Sequence, residues 1–491
     1  MRWQDNQYDV IILGSGLGGL IAGAYLLKEK RRVLLLKENQ YHPFSEEIGY
    51  RFVPFSNFSE KRMKALLLKR VSKELDCSLF MNDPKEMKRE ETKLIKQNQN
   101  VSFQVILPRA RIDLFDDHSR LQVELKREFP KEIAQIESFY QQMESIRSLL
   151  KNEKTKEGPE SVFPIQPRSL VRKWWPFRTL PNGKIDERLA LFSAEFKEFI
   201  RFQLISWGNL FSAQFPISLA NYIFFHDETD ELISEIDLEK LKEKVLEKFI
   251  QSGGKIEGID GLKKVEKKWR KGVILLTKEE EKEFRSQFVI LNSPLSRLLD
   301  LMAKKGRELS KWVGKIQPRY MLIPLFLGIH EKVVPVGMKD LLVSILDLSK
   351  PYEGGNLLFL SLSPKGDETK APIDRRALTV ESFSIPGKWS PDSFIEHRRM
   401  VMKHLNHLFP FLEEHIEYTD WDWVNKQCPC WSYPHFYYQI TSEFQWRKGV
   451  VPNRISKRLR FVGKENFPYL GIEGEVLSGL MVAQQILREY T

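Results

Sequence analysis

Gly14-Ser15-Gly16-Leu17-Gly18-Gly19 is the segment whose residue types and spacing most directly imply chemistry. Glycines at 14, 16 and 19 suit a tight turn, close approach of backbone to a pyrophosphate, and close packing of a helix on a strand. A helix opening there would present free N–H groups and its positive end to an anion. The spacing alone is a weak signal, because a glycine-rich turn with no ligand reads the same way. Other candidates are weaker still. Cys428-Pro-Cys430 lacks the two-residue spacer of redox dithiols and reads as two buried thiols; with Cys77 they are the only cysteines, too few for a disulfide framework. His404 and His407, three apart on a predicted helix, read as one solvated face, and no metal site is expected.

The flanking sequence gives the glycine loop its weight. Asp9–Leu13 is a short β-branched run ending one residue before Gly14, Leu20–Leu27 continues as an apolar helix, and Val33–Leu36 is apolar at every position, as in a strand buried on both faces. These form a βαβ unit. Residues 60–80 and 119–153 are charged with a helical period, and residues 189–225 form an aromatic-rich helical stretch that reads as core. Strand signals return between 255 and 291 after a helix at 238–249, and again at 460–463 before a helix near 473–488.

Composition bounds the rest. The chain has 491 residues, 42% of them apolar, and a net charge of +11 spread along its length, which predicts several domains with sizeable cores and a basic surface, with no nucleic acid as partner. No apolar run reaches the roughly 18 residues of a spanning helix, the longest candidate being Tyr320–Ile329, and the polar lead before Asp9 is no secretion signal. A cytoplasmic location is expected. Val171-Arg-Lys-Trp-Trp-Pro-Phe-Arg178 mixes aromatics and cations as a segment at an anionic headgroup layer does, although a surface loop has the same composition, so peripheral membrane contact stays open. The basic stretch Lys263–Lys271 reads as a solvated hairpin.

Tyr8–Leu20 resembles the opening of FAD-dependent oxidoreductases of the phytoene desaturase type, within the flavin amine oxidase and carotenoid desaturase superfamily. The resemblance continues through Gly49-Tyr-Arg-Phe52, Phe103–Leu114, Glu128-Phe-Pro130, Gly253–Ile256 and Val289–Pro294, and is strongest at Leu459–Gly479. It implies an α/β fold: a Rossmann-like FAD-binding domain of the GR2 type with an inserted α+β substrate domain. The FAD domain would be assembled from residues 1–70, 238–296 and 425–491, the substrate domain from 71–237 and 297–424. By the same resemblance Gly14, Ser15, Gly16, Leu17, Gly18 and Gly19 approach the pyrophosphate, the Leu262 backbone meets the adenine, Asn292 and Ser293 close the nucleotide edge, and Gly463 through Gly471 and Ile472 cover the flavin.

The sequence departs from that family where acids contact the cofactor. The position expected to accept hydrogen bonds from the adenosine ribose is Lys37, a donor only, with Glu38 beside it. Gly463 is followed by Lys464 and then Glu465, where the family has an acid directly after the glycine. Three readings stay open. Glu38 and Glu465 take over, FAD binds, and an apolar isoprenoid or carotenoid-like substrate is oxidised or reduced by hydride transfer. Alternatively the chain is a lipid binder that has lost the flavin, as in GDP dissociation inhibitors, or the lysines recognise an additional phosphate. No catalytic side chain is assigned, since the flavin carries the hard step.

Overall fold

The computed structural model describes residues 7–38, 45–52, 65–77, 101–115, 117–154, 183–208, 210–211, 215–224, 238–259, 262–268, 272–277, 283–293, 295, 312, 314–387, 391–421, 436–440 and 449–490. Its first elements are β1 (Gln7–Leu13), α1 (Leu17–Lys28), β2 (Val33–Glu38), a short hairpin of β3 (Ser45–Glu47) and β4 (Tyr50–Phe52), and α2 (Ala65–Leu75). β5 (Val101–Ile106), β6 (Arg111–Phe115), α3 (His118–Glu128) and α4 (Ile133–Lys154) follow, then α5 (Ile185–Leu189), α6 (Ala194–Trp207), β7 (Leu210–Phe211) and α7 (Ile217–Phe224). After α8 (Leu238–Gln251) come β8 (Lys255–Ile259), β9 (Leu262–Lys268), β10 (Gly272–Thr277), β11 (Glu283–Leu291), β12 (Ile316–His330), β13 (Leu341–Ile345), β14 (Leu357–Leu362) and β15 (Arg375–Ser384). The chain continues with α9 (Pro391–Leu408), β16 (Ile416–Asp420), β17 (Phe436–Ile440), β18 (Leu459–Phe461) and α10 (Gly471–Arg488).

Two large sheets organise these elements. The seven-stranded sheet runs β8-β2-β1-β11-β10-β9, with β18 also paired to β11. Its pairs β8–β2, β2–β1, β1–β11 and β11–β18 are parallel. Parallel strands need crossover connections and cover on both faces, which is why β1 and β2 read as continuous apolar runs. α1, α8 and α10 provide one cover, and α1 is buried at every residue from Leu17 to Leu27. Its neighbours approach at glycines. A Cβ on Gly18 would lie 2.6 Å from the Glu475 carbonyl oxygen, one on Gly479 2.3 Å from the Gly18 carbonyl oxygen, and one on Gly23 2.6 Å from the Phe249 ring.

The nine-stranded sheet centres on the 15-residue β12, which pairs with β15, β16 and β17. This is the apolar run the sequence analysis singled out, and its length is spent in antiparallel pairing. No helix among the described residues is long and apolar enough to cross a membrane. α9 covers one face through Val401 and Leu405 against Leu378 and Val380. The other face joins a core shared with Leu13, Leu291 and Phe461 of the first sheet. Phe196, Phe199 and Phe202 of α6 are fully buried there, as expected of the aromatic stretch, which divides into α6 and α7 rather than running as one helix.

One expectation is overturned. His404 is fully buried, not solvated: its Nε2 lies 2.8 Å from Ser344 Oγ and its Nδ1 2.9 Å from the Gly355 carbonyl oxygen. Burial lowers its pKa to about 4, so it stays neutral and serves as a polar rivet between α9 and the sheet. His407, one turn short of it in register, is exposed. Val171–Arg178, Cys428 and Cys430 lie outside the described residues.

The α1–α10 contact makes a first prediction. Gly479→Val should lower stability by about 1–3 kcal/mol, because its side chain must push α10 off α1. Urea denaturation checks this, and a variant with an unchanged midpoint would show that the helices separate freely.

Candidate functional site

The glycine loop is assembled by backbone hydrogen bonds from three distant stretches of chain. Gly14 N–H donates to the Leu36 carbonyl at 2.9 Å, Asn292 N–H to Leu13 at 2.8 Å, and Val462 N–H to Leu291 at 2.9 Å. Gly14 has φ +100°, and a Cβ there would lie 2.1 Å from the Asn292 carbonyl oxygen, so glycine is required on both counts. Gly16 is the N-cap of α1 and offers no side chain to the helix, leaving the first-turn N–H groups available to a ligand.

The surroundings of Gly16 are polar. A Cβ on it would meet Asn292 Oδ1 at 2.7 Å, Asn292 Nδ2 at 3.0 Å and Glu475 Oε1 at 3.0 Å, and one on Gly19 would meet Asn292 Oδ1 at 2.4 Å. Asn292 Nδ2 donates to the Val462 carbonyl at 2.8 Å, which fixes the amide orientation; Oδ1 is buried with no hydrogen-bond partner among the described residues. Ser15 is half-buried; Leu17, Gly18 and Ser293 are buried around the same loop.

The C-terminal motif closes against this loop through β18 and α10. Asn466 Oδ1 accepts from Gly463 N–H and from Ser478 Oγ, each at 2.8 Å, and Asn453 donates to Ser478 Oγ at 2.7 Å and to the Phe461 carbonyl at 3.0 Å. The bend at Gly471, φ +53°, opens α10, and Ile472 is buried at its first turn. Lys464 is half-buried. Glu465 points inward, its Oε1 accepting from Leu295 N–H at 3.0 Å and Tyr438 Oη at 2.7 Å. Burial pushes the Glu465 carboxyl up despite these donors, and burial followed by the Glu465 charge pushes the Tyr438 phenol well up.

Not every expected contact converges on the loop. Lys37 is exposed near the end of β2; Glu38 pairs with Ile259 of β8, its side chain outside the described set. Leu262 opens β9, separated from β1 in the sheet by β11 and β10. Glu475 beside the loop, and Asn453, Asn466 and Ser478 of the C-terminal network, were not singled out from the sequence. The only available signal was their place inside, or just before, the C-terminal motif.

Next to Tyr438 the second sheet packs a largely buried aromatic cluster. Tyr320 stacks on Phe383 at 4.8 Å between centroids, Phe383 meets Tyr437 edge-on at 4.9 Å, and Phe211 meets Tyr320 at 5.3 Å and Tyr352 at 5.2 Å. Burial, and then the nearby Glu381 charge, hold the Tyr437 phenol far above its ordinary range, so it remains a neutral hydrogen-bonding group.

Comparison with known proteins fits this geometry. Residues 243–487, just under half of the chain, match the family described as flavin containing amine oxidoreductase. Among solved structures, an oxidoreductase of Methanosarcina mazei is 14% identical over 98% of this chain and 100% of its own, with a TM-score of 0.60. Wild-type putrescine oxidase bound to putrescine is 15% identical over 98% and 99%, TM-score 0.60, and RAB GDI of Plasmodium falciparum is 11% identical over 98% and 98%, TM-score 0.52. The fold is that of FAD-dependent amine oxidoreductases. No curated protein matches the chain.

The matched family is flavin-containing, which implies FAD as the cofactor, and the residues at the glycine loop can be tested against it. Gly14, Gly16 and Gly19 let the loop pack closely against Asn292, α1 offers an uncapped N-terminus, and the orphaned Asn292 Oδ1 is an acceptor suited to a ribose or ribityl hydroxyl. These fit. The Glu475 carboxylate beside Gly16 is the feature that opposes a pyrophosphate.

Two predictions follow from this geometry. Gly16→Val should abolish FAD binding in a fluorescence-quenching titration while the far-UV circular dichroism stays unchanged; retained affinity would place the dinucleotide elsewhere. For Glu465, the raised folded pKa means the native chain holds a proton that the unfolded chain releases. Its stability contribution is full below the ordinary carboxylate pKa of about 4.3 and is lost as pH rises through the raised value. Glu465→Gln should therefore flatten the fall in urea midpoint as pH rises above the ordinary carboxylate range, and an unaltered slope would exclude this carboxyl as its source.

Proposed function

We propose that this protein is an FAD-dependent oxidoreductase acting on a substrate with an extended apolar body. The observation that carries the reading is the aromatic cluster formed by Phe211, Tyr320, Tyr352, Phe359, Phe383 and Tyr437, which shares one continuous core with the residues bracketing the glycine loop. Aromatic side chains of this kind, where a substrate reaches them, would favour hydrocarbon by burial and flat or unsaturated groups by stacking. FAD, when bound, would supply two-electron acceptance for oxidation at a substrate carbon, with a proton passing to solvent or base. The chain's own residues bind, orient and exclude water. Tyr438 holds the buried Glu465 in place beneath the loop, and Tyr437 stays protonated.

Isoprenoid or carotenoid-like chains suit these side chains best. A second reading is supported by Glu381, which stands beside Tyr437 of the same cluster: a carboxylate among aromatic rings suits an amine-bearing substrate, and putrescine oxidase is among the similar structures. Access to a membrane-borne substrate would fall to Val171–Arg178.

Purified protein should carry a flavin absorption spectrum that bleaches under anaerobic conditions with its substrate class. A panel of isoprenoid alcohols and hydrocarbons against aliphatic diamines and monoamines separates the two readings by which class bleaches it. A protein that binds isoprenoids yet takes up no FAD would replace the enzyme by a non-catalytic lipid binder of the same fold.

A further inference from the structure

Glu475 lies where no cofactor contact calls for an acid. It sits in the second turn of α10, nine-tenths buried, with Oε1 3.0 Å from the point a Gly16 Cβ would occupy. No hydrogen bond or ion pair to its side chain is found among the described residues. Leu17, Gly18 and Gly19 on α1 carry no cation, Asn292 turns an unpartnered oxygen toward the same loop, and Tyr438 and Glu465 occupy the far side. Glu473 precedes it by two residues, and the nearest lysine along the motif is Lys464. What favours a carboxylate at this point is α1 itself, whose uncapped first turn attracts an anion.

We propose that Glu475 is a built-in competitor of the dinucleotide pyrophosphate: it supplies the anion at the α1 N-terminus when no ligand is present, and must be displaced before FAD binds. The inference rests on the assignment of FAD to the glycine loop. A pyrophosphate and a carboxylate cannot share one helix end without like-charge repulsion at close range. The chain therefore spends part of its FAD-binding free energy on moving Glu475, and its affinity for phosphate-bearing ligands lies below what its glycine geometry permits. A flavin without phosphates does not meet this obstacle.

The test compares Glu475→Gln and Glu475→Ala with the unmodified protein for binding of FAD, ADP and riboflavin by fluorescence quenching and calorimetry. Gln keeps the shape and removes the charge; Ala removes both, so one informative variant survives if the other folds poorly. Both should bind FAD and ADP at least about tenfold more tightly, with riboflavin affinity unchanged. Unmodified protein that binds FAD, with variants that bind FAD and ADP no more tightly, overturns the proposal alone. Equal gains for riboflavin also overturn it, since the effect would then be one of space and not charge. If neither the unmodified protein nor any variant binds FAD or ADP, the assignment of FAD to the loop fails and takes the proposal with it.

Discussion

Three stretches of chain meet backbone to backbone at positions that admit no side chain, and the nucleotide sheet depends on that contact. Gly14 closes on the Asn292 carbonyl, Gly18 on the Glu475 carbonyl, and Gly479 on Gly18. Each approach is nearer than a methyl group allows, so the three glycines act as a set: enlarging one moves the helix on which the next relies. The loop is thus positioned by the absence of atoms. The same loop leaves the first amides of α1 uncapped.

Burial of charge is the second theme, and the two sheets use it differently. Glu465 reaches from the nucleotide side to Tyr438 of the other sheet and is held by two donors at one oxygen. Removing either donor would leave a desolvated carboxyl, so the pair ties the sheets by the cost of separating them. Arg376 does comparable work at the far end of β15, almost fully buried against Glu331 and Asp340. His404 achieves the same under α9 with no charge at all, since burial keeps it neutral. Polar groups in this chain mark the junctions between layers.

Much of the nucleotide side was legible in the sequence. Gly14, Gly16 and Gly19 between an apolar strand and an apolar helix are a local signal, and so are the continuous apolar runs of β1 and β2. Asn292 and Gly463 were found through motif order. What stayed hidden depends on pairings between distant strands. Nothing near residue 465 announces Tyr438, and nothing near 404 announces Ser344, because those partners arrive by sheet register and helix packing. His404 was misread for that reason: helical spacing to His407 is visible in the sequence, whereas the face that α9 turns to the sheet is not. Glu475 was overlooked because one acid in a helix rich in ordinary residues carries no spacing signal, and its meaning comes only from Gly16 across the interface.

The order of strands also bears on how such a chain is made. α1 is apolar on every side, and its cover includes α10, which a ribosome delivers several hundred residues later. At about 5–20 residues per second that interval lasts some tens of seconds, during which α1, beside its strands and later α8, lacks its α10 cover. The nucleotide half therefore cannot complete itself during synthesis. Its packing is complete only once β18 and α10 have left the ribosome, so the last residues of the chain close the layer that the first ones open.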